Sequence, residues 1–307
     1  MDMLFLGSWL GSVPAFAVPL LLASVGLIVS ERAGVLSLGA EGYLAVGAMS
    51  AVAVTLSTGN LFYGVLAGVA AAALLALLFG IAVVVFHCEQ TLAGLACMAI
   101  GLGLSGWLGR PFVHQPVSGL PALDFGVLAE LPLLGKLLFA QDALVYIAVA
   151  LTLLLAWAIA RSRWGLRLRA VGEAPETADV AGVNVTVQRL LAVTLCGALC
   201  GLGGAYLSVV ASNIWVENMV AGRGWIALAL VIFARWQPAR ALAGALLFGA
   251  IQALLPRLQA IGFNAPVYLM GMLPYLLTIG VLVLATRSRH AAEPAALGRA
   301  YLRQDRR

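Results

Sequence analysis

Residues 61–86 contain no charged side chain, and neither do 9–29, 91–108, 190–212 and 267–285. Two further apolar runs, 33–57 and 142–160, carry one each, Glu41 and Asp142. At about 1.5 Å per residue every one of these runs can take a helix across most or all of a hydrocarbon core of about 30 Å. In lipid the backbone must satisfy its own hydrogen bonds, so such runs are predicted to be helices. Composition agrees, since 63% of the residues are apolar and 10% charged, against about 25% charged in ordinary soluble chains. The predicted fold class is an all-α polytopic membrane bundle, with no sizeable soluble domain left over.

The pattern weakens between 225 and 255. Ten apolar residues precede Arg235-Trp236-Gln237-Pro238-Ala239-Arg240, and fifteen more follow before Pro256. A helix of about 10 residues reaches about 15 Å, half the core. We read this pair as two short crossings joined by a cytoplasmic turn, because a re-entrant hairpin from outside would strand Arg235 and Arg240 at mid-depth. About nine spans result, with a range of about 8–10. The membrane domain is expected over 1–286, with a polar loop at 161–189 and a basic tail at 287–307.

Eleven of the 18 basic residues sit in that loop and that tail: Arg161, Arg163, Arg167, Arg169 and Arg189, then Arg287, Arg289, Arg299, Arg303, Arg306 and Arg307. Their clustering explains the net charge of +5 without nucleic acid and places both segments in the cytoplasm by the positive-inside rule. The N-terminus is then outside and the C-terminus inside. No Lys or Arg precedes Arg32, so the first run lacks the positive start of a cleavable signal and is expected to stay as a span.

Few residues suggest chemistry. Gly101-Leu102-Gly103-Leu104-Ser105-Gly106 fits a dinucleotide pattern, but within an apolar span and without a preceding strand. The only lysine, Lys136, precedes Leu137, so no phosphate-binding Gly-Lys-Ser/Thr motif is present. His87, Cys88 and Glu89 are a local set with metal-ligand chemistry and no distant partners, better read as a polar turn. Cys88, Cys97, Cys196 and Cys200 show neither disulfide framework nor zinc spacing. Gly64 with Gly68, and Gly197 with Gly201, have the spacing that lets membrane helices approach closely. An enzyme is not supported.

Two features stand out. In the loop, Pro175 suits the first position of a helix, Glu176 and Asp179 its positive end, and Gly182 its stop. Ala174, Ala178 and Ala181 are spaced to form a small face that could enter a groove, although a solvated connector fits the same residues. In the second run Gly34, Gly39, Gly42 and Gly47 surround Glu41, about 12 Å into the span if the helix starts at Ala33. That carboxylate must face the bundle interior, either bonded to backbone freed by a broken helix or lining a polar pathway.

Three segments carry a family resemblance: ERAGVLSLGAEGYLAVGA at 31–48, GLRLRAVGEAPETADVAGVNV at 165–185 and GRGWIALALVIFARWQPARALAGALLFG at 222–249. They resemble the permease subunits of bacterial ABC importers for branched-chain amino acids, simple sugars and nucleosides, and the nucleoside and sugar members most closely. Ser37 and Ala40 depart from the family, which more often shows Asn and Ile or Val. The resemblance implies a non-catalytic inner-membrane subunit for a nucleoside or simple sugar. It implies no cofactor in this chain, ATP being bound by a separate ATPase subunit. The other implied partners are a second, homologous permease and an extracytoplasmic solute-binding lipoprotein. By resemblance, Gly172, Glu173, Ala174, Pro175, Ala178, Asp179, Ala181 and Gly182 couple to the ATPase. Gly39, Glu41 and Gly42 are expected at the pathway or a helix break. An ion-coupled secondary carrier is the main alternative, with Glu41 as its one clear mid-depth ionisable group; an ABC permease for branched-chain amino acids is another.

Overall fold

The computed structural model describes residues 3–126, 134–260, 272–273, 275–280, 283 and 293–302. Helix α1 (Met3–Arg32) is the central post, enclosed by its neighbours from Ala17 to Val29. Pro14 and Pro19 lie within it, as membrane helices tolerate when neighbouring groups satisfy the freed carbonyls. Next come α2 (Ala40–Thr58) and α3 (Leu61–Gly80), which ends in a π-helical turn over Ile81–Val85, and then α4 (Gln90–Gly109). Caps are written locally. Asn60 accepts from the Phe62 N–H, and Glu89 accepts from the N–H groups of Thr91 and Leu92, which holds its carboxyl below the usual range.

A two-stranded antiparallel ribbon, β1 (Ala122–Asp124) with β2 (Ala140–Asp142), flanks the short α5 (Leu134–Leu138). Asp142 then caps α6 (Ala143–Arg161). The chain continues through α7 (Arg163–Glu173) and α8 (Pro175–Val180) to α9 (Val185–Tyr206), which ends in a π-helical turn over Leu207–Ala211. Last come α10 (Arg223–Ala234) and α11 (Pro238–Ala260).

Seven of these helices, counting the π turns with α3 and α9, are long and apolar enough to cross a membrane; α10 is shorter. The protein is a multi-pass membrane bundle. The predicted last span, 267–285, lies largely outside the described residues, as do most of the tail arginines. The second member of the weak pair is not short. It runs 23 residues, straight through Pro256, where the loss of one N–H bond does not stop a helix packed along α1. The second run also begins later than its apolar pattern suggests: α2 starts at Ala40, because Gly34 turns left-handed (φ +83°) and residues 35–37 are irregular.

Small residues allow close crossings. A Cβ on Gly201 of α9 would stand 2.6 Å from the Gly68 carbonyl oxygen of α3, and one on Gly68 would stand 2.6 Å from that of Gly47 in α2. Three helices thus meet backbone to backbone, maximising dispersion contact where no hydrophobic effect operates.

The bundle has two distinct ends. One gathers the end of α1, the α3–α4 turn, α7, α8, the start of α9 and the α10–α11 turn, with Trp236 Nε1 donating to Glu31 Oε2 at 2.6 Å and Arg32 Nε to the Trp236 carbonyl at 3.2 Å. The other carries the ribbon and the bridge between Val113 and Trp215, with the Val117 N–H donating to the Asn213 carbonyl at 2.9 Å.

Candidate functional site

The irregular segment after α1 turns back into the bundle. Its backbone is satisfied there by protein: the Val35 N–H donates to the Ser30 carbonyl, Ser30 Oγ donates to the Val35 carbonyl, and the Leu36 N–H donates to Gln90 Oε1 at 2.7 Å. The Ser37 and Tyr43 hydroxyls lie 3.3 Å apart. Gly39 stands at the N-cap of α2, and Gly42 faces α4, its missing Cβ leaving room for the Cys97 carbonyl and Met98. Gly101 of the dinucleotide-like pattern meets Gly42 in the same crossing, so that glycine serves helix packing.

Glu41, 5% exposed, sits in the first turn of α2. Its Oε1 accepts the Gly222 N–H and its Oε2 the Gly224 N–H, both at 2.6 Å. Those donors open α10, whose positive N-terminal end suits a carboxylate. Arg223, between them, donates from Nη1 to the carbonyls of Met219 and Val220 at 2.9 Å and so closes the turn before α10. At 12 residues, α10 spans about 18 Å from this junction to Trp236 beside Glu31. The residues between Gly34 and Ala40 lead to Glu41 without a continuous helix. Two discontinuous helices start at one buried carboxylate.

Beside the junction lies a cavity of about 220 Å³ lined by Ala45, Ser105, Gly106, Trp215, Glu217 and Asn218, among others. Ser105 Oγ donates to the Ala45 carbonyl at 3.1 Å, and Glu217 and Asn218 are exposed.

The polar loop is a helical hairpin. Its second helix is the one expected from Pro175 and Gly182; α7 is an addition, although Ser162, whose Oγ accepts the Gly165 N–H at 3.0 Å, is an ordinary N-cap signal. Gly172 and Glu173 close α7; Pro175 opens α8, and Gly182 is left-handed at φ +84°. The three alanines do not share a face. Ala174 and Ala181 flank α8 and are exposed, whereas Ala178 is 4% exposed and packs with Val171 and Val185 in a small core. Helical spacing fails because α8 has only six residues. The outward row is instead Glu176, Thr177 and Val180, the last 72% exposed. Gly172 is pressed against the Arg32 carbonyl, where a side chain would not fit. His87, from the metal-like set, contacts the Tyr301 carbonyl through Nε2 at 3.0 Å.

Residues 10–282 match the family described as the permease component of branched-chain amino acid transport systems. A putative glucose ABC transporter permease of Haloferax volcanii is 38% identical over 98% of this chain and 99% of its own length. The guanosine ABC transporter permease of Bacillus subtilis is 33% identical, covering 96% and 97%. A nucleoside ABC transporter permease of Lactococcus lactis is 32% identical over 94% of both chains.

Proposed function

The chain belongs to the family of branched-chain amino acid transport permease components, and from that premise we propose how it couples ATP to transport. It is the membrane subunit of an ATP-driven importer. In our reading the end bearing α7 and α8 faces the cytoplasm, where the arginine-rich loop belongs, and the outward row Glu176, Thr177 and Val180 rests on an ATPase subunit. A second permease copy or relative stands alongside, and a solute-binding protein delivers solute at the ribbon end. The bilayer is the plasma membrane, and the N-terminus is outside.

The observation that carries this reading is the contact chain below α8. Its outward row is exposed, while Ala178 on its inner side is locked into the core it shares with α7 and α9. The last turn of α7 abuts α1 at Gly172 and Arg32, and Arg32 bonds the turn at the end of α10. A push on α8 by a closing ATPase dimer thus reaches, through stiff helices, both α10 and the segment that leads to Glu41. Two packings of those half-helices would give outward and inward access.

The solute we assign is a nucleoside or simple sugar. Support comes from relatives named for guanosine, nucleosides and glucose, and from Ser105, Glu217 and Asn218 around the cavity, which suit a hydroxyl-rich solute. A photo-crosslinking residue at Val180 tests the docking: it should capture the co-expressed ATPase subunit, and capture of lipid or nothing would remove the proposal.

A further inference from the structure

We propose that residues 294–301 form a strap that fastens the α7–α8 hairpin to the bend between α1 and α2, with Arg189 as its positioning residue. The inference rests on the coupling role given above to the hairpin. By composition the C-terminal segment is a basic tail; within it Pro294 and Ala296 are buried. The Ala296 N–H donates to the Gly172 carbonyl at 2.9 Å, and the Ala295 N–H to Glu173 Oε2 at 3.3 Å, which ties the segment to the last turn of α7. On its other side it crosses the bend: a Cβ on Gly34 would stand 3.2 Å from the Ala296 carbonyl oxygen. Further along, Tyr301 packs on the hairpin core of Val171, Ala178 and Val185, and its carbonyl meets His87 of the α3–α4 turn.

Arg189 supplies the pin. It lies in the early turns of α9, is 2% exposed, and donates from Nε to the Ala33 carbonyl at 3.2 Å and from Nη1 to the Arg299 carbonyl at 3.1 Å. One planar guanidinium therefore holds the bend and the strap together, with two donors in fixed relation that a lysine does not offer. The strap uses main-chain groups almost throughout, so its basic side chains are not what binds it. Its consequence is that hairpin, bend and α3–α4 turn move as one body. A displacement of α8 is then delivered to the junction instead of being absorbed in the loop.

The test uses the assembled complex with its ATPase in proteoliposomes, reading solute accumulated per ATP hydrolysed. Truncation after Glu293, Arg189→Ala and Arg189→Lys should each lower that ratio several-fold. Complex assembly and basal ATP hydrolysis should persist. Arg299→Ala, which keeps the accepting carbonyl, should change nothing. A normal ratio in the truncated chain, full rescue by Arg189→Lys, or an Arg299→Ala defect equal to the truncation would each overturn the strap. Should truncation block assembly, a cysteine at Ala296 in a Cys88→Ser background decides. It should resist thiol reagents in the resting complex and react once Arg189 is Ala; immediate reaction in the otherwise intact complex sinks the idea. If Val180→Asp leaves coupling intact, the hairpin reading itself fails. If Val180→Asp uncouples while truncation does not, only the strap fails.

Discussion

Glu41 and Gly224 lie 183 residues apart in the chain, yet Oε2 of the first accepts the N–H of the second at 2.6 Å. Because Oε1 holds the Gly222 N–H at the same distance, the carboxylate acts as a two-pronged acceptor across the starts of α2 and α10. A Cβ at Gly224 would fall 2.5 Å from the Glu41 main-chain nitrogen, and Gly222 is left-handed at φ +82°, so both glycines are required for the approach.

Glu41→Gln follows directly as a test. An amide keeps one acceptor and turns an N–H₂ donor toward a backbone N–H donor, so it should cost about 3–6 kcal/mol, the worth of one hydrogen bond to a charged group plus the unmatched pair. Glu41→Leu loses both bonds and should lower the yield of folded subunit further. Thermal unfolding in detergent reads both, and a Leu variant as stable as the parent would show that the junction is held by something else.

The glycine motif in α4 offers an internal control. A Cβ on Gly101 would stand 2.6 Å from Gly42 Cα, whereas one on Gly103 meets nothing within 4 Å. Gly101→Leu should therefore destabilise by about 3 kcal/mol through forced separation of α2 and α4, while Gly103→Leu should unfold at the parental temperature. Equal effects at the two positions would contradict the crossing.

How far the sequence could be read depends on which physical signal each feature leaves. The runs at 61–86, 91–108 and 142–160 correspond to α3 with its π turn, α4 and α6 within a few residues, because lipid demands apolar length and helical hydrogen bonding together. The same signal misplaced the start of α2: residues 33–39 are as apolar as helix, and only contacts from Gln90 and Ser30 reveal that their backbone is satisfied elsewhere. Pro256 misled in the opposite direction, since a proline near a helix end is a stop only where no neighbour supports the chain. In the hairpin, Pro175 and Gly182 mark the bounds of α8, but six residues are too few for helical spacing to tell Ala178, facing in, from Val180, facing out. The partnership of Glu41 with Gly222 and Gly224 left no sequence trace beyond the glycines themselves.

The two sides of α8 should respond differently to substitution. Val180→Asp, on the exposed row, should leave subunit stability within about 0.5 kcal/mol and weaken ATPase assembly. Ala178→Trp overfills the core with Val171 and Val185 and should destabilise the subunit alone, by about 1–3 kcal/mol. Unfolding of the isolated subunit and co-purification of the ATPase separate the effects; a Val180→Asp variant that assembles normally would place the docking surface elsewhere.

Orientation is open to cysteine labelling in intact cells with Cys88 replaced by Ser. A cysteine at Ala174, exposed at the hairpin, should react only after the membrane is permeabilised, and one at Leu123, 43% exposed in the ribbon, should react at once. The reverse pattern would invert the topology.

Solute accumulation by the purified complex in proteoliposomes, with ATP and ion gradients varied independently, bears most directly on the central claim that this chain is driven by an ATPase acting on α8. Labelled guanosine or glucose, supplied with the solute-binding protein, should accumulate only with hydrolysable ATP, at the same rate after proton and sodium gradients are collapsed, and should fall away with Val180→Asp. Accumulation driven by an ion gradient without ATP, abolished when that gradient is dissipated, would make the protein a secondary carrier and contradict the account.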